Sequence, residues 1–228
     1  MSAQTPEPAT RQAISAMRRS YGEAGITDLG ADPLIALTSW LHEAAENPFI
    51  VEANAMVLST LGTAADGSDA ITTRTVLLKD ISEGGFTFFT NYNSRKAQAI
   101  EKHEQVTLLF PWYPMERQVT ISGFASKISR AEIESYFATR PWSSQIGAWA
   151  SAQSSPLASR AELEQRYEGA AAKWPEGGDV PCPPHWGGYR VIPTSIEFWQ
   201  GRYSRLHDRL RYERPDTTSN WAVNRYYP

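Results

Sequence analysis

Apolar positions change their spacing along this chain, and the changes mark out its elements. Before residue 55 they fall three and four apart. Asp32-Pro33 opens a helix there, because Asp is a good N-cap and Pro fits the first turn. Leu34, Leu37, Trp40 and Leu41 give that helix one apolar face. An earlier helix is expected over 10–24, carrying Met17, Arg18, Arg19 and Tyr21. From residue 55 the pattern becomes that of strands, over 55–61, 71–78, 85–91, 106–110 and 117–128, the last broken by Gly123. Asp66-Gly67 marks a turn, and Ser94 caps a helix that begins Arg95-Lys96. Residues 130–172 read as helical over 131–139 and 159–172, with a turn around Ser143-Ser144. A Pro/Gly-rich connection over 175–184 leads to strands over 187–200, 206–212 and 221–226. There is no internal repeat.

Antiparallel strands joined by short turns predict a mainly β, α+β fold: a barrel with flanking helices, not a Rossmann sheet. Residues 1–9 are rich in Pro, Thr, Ala and Gln and predict disorder. The expected organisation is a disordered segment over 1–16 and one domain over 17–228, whose late strands complete the same barrel.

Composition narrows the function classes. A net charge of -3 gives no support to nucleic-acid binding. No apolar run has the length of a membrane span. The N-terminus lacks the basic-then-apolar pattern of a secretory signal, and a cytoplasmic location is expected. The single cysteine, Cys182, excludes an internal disulfide and Cys-x-x-Cys metal sites, so no metal is expected. Eight tryptophans are many for 228 residues and point to a core, an interface or a flat ligand.

Several cationic and polar groups carry candidate chemistry. Arg74 and Lys79 bracket a strand end. Being an odd number apart, they fall on opposite faces of a regular strand unless a bulge intervenes. Ser94-Arg95-Lys96 places two cations at a helix start, which suits a phosphate or a solvated helix end equally. Gln118 can donate and accept at once, as a heterocycle edge requires. Tyr136 and Arg140, four apart on a helix, combine with Ser144 into a phosphate-binding set; alone, Arg140 reads as a helix C-terminal cation. Gln153-Ser154-Ser155 is polar and loop-like. Arg205, His207 and Arg209 alternate along an expected strand and would share one face. An isolated R-x-H-x-R is readily a solvated basic edge, but the flanking Trp199, Gln200 and Gly201 point to a built site. The chain lacks paired carboxylates at helical spacing and Walker or Rossmann glycines. Few acid/base groups beside two anion sites imply a cofactor that carries the hard chemistry.

These residues fall into an ordered set of motifs: R-x-V-L-L-K at 74–79, F-F-T-N and S-R-K within 88–96, E-R-Q-V at 116–119, R-P-x-S-S-Q-I-G-A at 140–148, Q-S-S at 153–155, W-G-G-Y at 186–189, and E-F-W-Q-G with R-L-H-D-R within 197–209. In this set the chain resembles the pyridoxamine 5'-phosphate oxidase family from about Met17 onward. The resemblance implies a split β-barrel homodimer with two FMN molecules at the interface, each contacted by both chains. It implies FMN contacts from Arg74 through Thr75, Val76, Leu77 and Leu78 to Lys79, and from Phe89, Thr90, Arg95 and Lys96. Arg74, Lys79, Arg95 and Lys96 would meet the FMN phosphate. Phe89 stands where tyrosine is common, so a hydroxyl contact is lost there. Gln118, Gln153, Ser154, Trp199 and Arg209 would meet the flavin.

The same resemblance assigns substrate phosphate to Lys79, Tyr136, Arg140 and Ser144, and the catalytic positions beside the substrate ring to Arg205 and His207. Whether His207 orients substrate or moves a proton stays open at this level. Arg18 and Tyr21 match a pair that closes over the site. The implied substrates are pyridoxamine 5'-phosphate and pyridoxine 5'-phosphate, with O2 as acceptor and H2O2 as product. Two other readings compete: a split-barrel flavin or deazaflavin enzyme for another substrate, and a non-catalytic flavin or pyridoxal phosphate binder.

Overall fold

The computed structural model describes residues 8–17, 20–64 and 66–228. Helices α1 (Pro8–Ala16) and α2 (Pro33–Glu46) precede strands β1 (Ala55–Thr63), β2 (Asp69–Leu77), β3 (Asp80–Ser82) and β4 (Gly85–Asn91). Helix α3 (Arg95–Lys102) leads to β5 (Gln105–Trp112) and β6 (Arg117–Lys127). Three helices follow, α4 (Arg130–Ala138), α5 (Trp142–Ala150) and α6 (Arg160–Lys173). Strands β7 (Trp186–Gln200), β8 (Asp208–Glu213) and β9 (Ala222–Tyr226) end the chain.

Alternation builds the sheet. In β1, Met56 and Leu58 face inward, as do Val106, Leu108, Phe110 and Trp112 of β5, and Val119 and Ile121 of β6. Each such side chain contributes roughly 1.5–3 kcal/mol on burial. The described strands form one antiparallel sheet in the order β2-β1-β5-β6-β7-β4-β3, with β8 branching from β7 and β9 from β8. The long β7 makes the branch. Its first half pairs with β4, its second half with β8, and β6 runs along both. Helix α2 closes one end of the core. Asp32 accepts from the Leu34 N–H, and Trp40 meets Phe198 edge-on at 5.1 Å. A second apolar cluster, Ile128, Ile133, Phe137 and Trp186, lies under α4.

Five expectations change. Helix α1 occupies 8–16, not 10–24, and ends well before position 24. Ser143-Ser144 is not a turn but the first turn of α5. Strand β6 continues through Gly123, and the irregularity there is a bulge. Ser122 pairs with Ser195 while Gly123 pairs with Pro193, which leaves Thr194 as the extra residue. The bulge also explains Pro193 inside a strand, where its missing N–H would otherwise break a ladder. Tyr136 and Arg140 do not share one helix, because α4 stops at Ala138. Finally, Arg205 and His207 precede β8 and lie in a loop, so the alternating cationic face does not form.

Candidate active site

Two hollows gather most of the expected residues. The first is a cleft of about 450 Å³ between the end of β2, strand β4 and helix α5. Thr75, Val76, Leu77 and Lys79 line one side, Phe89, Thr90 and Lys96 another, and Tyr136, Arg140, Ser144 and Gln153 the rest. Strand β2 ends at Leu77, and the Lys79 N–H turns to the Thr87 carbonyl, which frees the Lys79 side chain from strand alternation. This resolves the odd spacing from Arg74. Leu78 does not line the cleft. It is buried in the core, and its N–H and carbonyl are both taken by Asn54.

Polar groups in the cleft are tightly cross-linked. Lys96 Nζ donates to Gln153 Oε1 at 2.8 Å and to Thr90 Oγ1 at 3.2 Å. Burial, and then the neighbouring Arg74, push the Lys96 ammonium down to about 8. Arg74 donates to the Leu58 carbonyl and to Thr60 Oγ1, and burial together with Arg95 lowers its own pKa. Arg95 itself faces a smaller hollow beside Thr72 and Lys102. Adjacent cations that depress one another favour an anion between them.

Across the cleft, Phe89 stacks against Tyr136 at 4.0 Å and against Trp186 at 5.1 Å. The Arg140 guanidinium lies 4.7 Å from the Trp186 ring centre. Arg140 Nη1 is buried without a hydrogen-bond partner, and burial lowers the pKa of the group. A buried donor of this kind calls for an acceptor from a ligand. These donors fit a phosphate-bearing cofactor and substrate. Phe89 fills an aromatic stack and offers no hydroxyl.

The second hollow, of about 600 Å³, holds Tyr21, Arg205 and His207 together with Arg202 and Tyr203. Tyr21 meets His207 edge-on at 5.3 Å and Trp199 at 5.8 Å, and Trp199 lies 4.6 Å from His207. Ser204 and Arg205 both adopt positive φ, at 57° and 62°. Such residues cost about 1–3 kcal/mol each and collect at functional sites. The Arg202 N–H donates to His207 Nδ1 at 3.0 Å. That bond assigns the ring proton to Nε2. Burial, and then Arg205, lower the His207 pKa.

Gln118, Trp199 and Arg209 form one row across β6, β7 and β8. Arg209 is already engaged there by a two-pronged pair with Glu197, at 3.0 Å for both bonds. Ser154 is exposed beside Gln153, with φ 73°, and does not line the cleft. Arg18 lies outside the described residues.

Sequence reasoning missed some contributors. Trp186, which the sequence marks only as part of W-G-G-Y, is a wall of the cleft. The signal was Gly187 beside it: a Cβ there would sit 2.1 Å from the Tyr92 ring. Asp208 and Glu116 tie the Tyr21 segment down; both stand inside motifs, R-L-H-D-R and E-R-Q-V, but nothing local marks the distant partners they hold.

Comparison with known proteins agrees with this geometry. The family described as pyridoxamine 5'-phosphate oxidase matches residues 42–173. A second, the pyridoxine 5'-phosphate oxidase C-terminal dimerisation region, matches residues 186–228. A pyridoxine/pyridoxamine 5'-phosphate oxidase of Streptomyces avermitilis is 49% identical, covering 94% of this chain and 96% of that protein. One from Rubrobacter xylanophilus is 50% identical over 92% and 94% of the two chains. Among solved structures, PhzG from Burkholderia lata, bound to tetrahydrophenazine-1-carboxylic acid, superposes with a TM-score of 0.80 at 28% identity, covering 91% of this chain and 99% of that one. A pyridoxamine 5'-phosphate oxidase-related, FMN-binding protein of Nostoc punctiforme shares the fold, with a TM-score of 0.66 at 16% identity, covering 87% and 100%. The sheet, the cleft and these matches together place the chain in the pyridoxine/pyridoxamine 5'-phosphate oxidase family, an oxidoreductase family of split-barrel fold.

Proposed function

We propose that this oxidoreductase uses FMN to oxidise pyridoxamine 5'-phosphate and pyridoxine 5'-phosphate to pyridoxal 5'-phosphate. The amine reacts with water and O2 to give aldehyde, ammonia and H2O2; the alcohol reacts with O2 to give aldehyde and H2O2. The observation that carries this reading is the cleft's double set of anion donors. Lys96, with Arg74 behind it, forms one end, and Arg140, Tyr136 and Ser144 form the other. A cofactor phosphate and a substrate phosphate are thereby accounted for together.

FMN, when bound, supplies the two-electron acceptor for the C4' hydrogen and passes the electrons to O2. The chain's own residues bind and orient. Arg140 brings a planar donor fork to the substrate phosphate, and its orphaned Nη1 gains an acceptor. Lys79 stands beside both sets. His207, with its proton on Nε2, offers a donor to substrate and does not act as a base at that nitrogen. This favours orientation over proton movement for His207. Arg205 supplies fixed positive charge beside it.

The active unit is a homodimer. Within one chain the cleft and the Tyr21 hollow have no lining residue in common. The matched dimerisation region contains Trp199, Arg205, His207 and Arg209. In the dimer these residues reach the partner's cleft, so each FMN meets both chains.

The test is a visible spectrum of the FMN-loaded protein during anaerobic addition of pyridoxamine 5'-phosphate. Bleaching of the flavin band, reversed by air with H2O2 release, is expected. A flavin that stays oxidised with both the amine and the alcohol phosphates would overturn the substrate assignment.

A further inference from the structure

The segment 20–27 is an irregular strap that leaves the second hollow, which Ser20 and Tyr21 line, and its hold on the fold is concentrated at two points. At Gly22 the N–H donates to Glu116 Oε2 at 2.9 Å, and the carbonyl accepts from the Tyr203 N–H at 2.9 Å. At Ile26 the N–H donates to Asp208 Oδ2 at 2.9 Å. Asp208 also accepts from Arg202 Nη1 at 3.3 Å and from Arg225 Nη1 at 2.9 Å. Arg225 then grips the strap directly, donating to the Ile26 carbonyl at 2.8 Å and the Thr27 carbonyl at 3.2 Å. Only 15% of the Asp208 side chain is exposed. One shielded carboxylate thus joins the strap, the 201–207 loop and β9.

Two close approaches show how tightly the strap is set. A Cβ on Gly25 would lie 2.8 Å from Asp208 Oδ2, and a Cβ on Gly201 would lie 2.8 Å from Tyr21 Cδ1. Both glycines let the strap lie against the loop. Asp208 also acts on the other wall of the hollow. Arg202, which it holds, is the residue whose N–H fixes the His207 tautomer.

We propose that Asp208 is a positioning residue of the oxidase reaction, pinning the strap so that Tyr21 closes over His207 and Trp199. This rests on the reading of the Tyr21, Arg205 and His207 hollow as part of the substrate site. Asp208 does not line the cleft of its own chain, which carries the phosphate donors, and its carboxylate is taken up by Ile26, Arg202 and Arg225. Its loss is therefore expected in KM and not in cofactor affinity.

The experiment is a double-mutant cycle on the holoenzyme with Asp208→Asn and Tyr21→Ala. Asp208→Asn keeps the shape and removes the charge. It should raise KM for pyridoxamine 5'-phosphate by about ten- to hundredfold, as loss of hydrogen bonds to a charged group does. It should leave kcat and the FMN dissociation constant within about twofold. Tyr21→Ala should raise KM similarly, and Asp208→Asn should add little on top of it. Independently of activity, amide hydrogen exchange over 22–27 should speed up in Asp208→Asn.

An equal further loss in the Tyr21→Ala background, or unchanged exchange over 22–27, would overturn the positioning role. If Tyr21→Ala alone leaves KM unchanged, the reading of the hollow fails and the proposal goes with it. If Asp208→Asn does not fold, Gly25→Ala displaces the strap while keeping the carboxylate. It should reproduce the KM rise, and wild-type KM in that variant would refute the inference.

Discussion

Lys96 gives the sharpest test of the phosphate cleft, because its charge depends on what occupies the site. In the ligand-free protein burial and Arg74 push its ammonium down to about 8. The FMN phosphate, with a second pKa of about 6, is dianionic throughout the range above pH 7. A dianion beside Nζ stabilises the charged form, so binding takes up a proton wherever free Lys96 is neutral. Between pH 7 and 9 the free enzyme passes from mostly charged to mostly neutral. FMN affinity should then fall about tenfold, by linkage. Lys96→Gln removes the charge. It should weaken binding at pH 7 by roughly 1.5–3 kcal/mol, or about ten- to hundredfold, the range for a charge-assisted bond. The variant's affinity should then stay flat from pH 7 to 9. The assay is quenching of FMN fluorescence titrated into stripped protein at several pH values. A wild-type affinity that does not change across the range, or a variant that keeps the tenfold fall, would refute the reasoning.

Three further outcomes follow from other parts of the molecule. Arg140→Lys removes the planar fork whose Nη1 is buried and unpartnered; KM for pyridoxamine 5'-phosphate should rise roughly tenfold or more in steady-state assays, with FMN affinity unchanged. Gly123→Ala would bring a Cβ to 2.2 Å from the Ile192 carbonyl oxygen and 2.8 Å from Pro193 Cα. Both obstacles are backbone, so calorimetry should show a loss of about 3 kcal/mol, or roughly 6–12 °C in Tm. At Glu197 burial pushes the carboxyl up, but hydrogen bonds from Arg209 and Arg211 outweigh it and hold the pKa below the usual value of 4.5. Its stabilisation is present above that value and lost as pH falls through the lower folded one. Urea midpoints of the wild type should fall on acidification below pH 4.5, and Glu197→Gln should flatten part of that fall.

The strands were legible in the sequence because each buries one face, and alternation reports that directly. Val106, Leu108 and Phe110 could hardly be read otherwise. Helix α5 was hidden because its start carries no capping side chain. Pro141 precedes it, and Ser143-Ser144 carries turn chemistry. Only the burial of Gln145, Ile146 and Ala150 makes it a helix. The cleft was legible residue by residue but not as an assembly. Lys96 and Arg95 are adjacent at one helix start, yet they face different hollows.

The R-L-H-D-R segment shows why local alternation failed at the site itself. Alternation assumes that the backbone is free to extend, and here distant groups forbid it. The Arg202 N–H reaches forward to His207 Nδ1, and the Tyr203 N–H reaches back to the Gly22 carbonyl. Satisfying both bends the chain through Ser204 and Arg205 at positive φ, a conformation neither residue favours alone. The strand resumes at Asp208, the residue that accepts Ile26, Arg202 and Arg225. Those partners lie 182, 6 and 17 positions away, so no short window could show Asp208 as more than a polar residue on a strand. The strain at Arg205 and the convergence on Asp208 therefore have one cause. A loop that must present Arg205 and His207 to a ligand cannot follow its own preferences, and a shielded carboxylate with three donors holds it away from them.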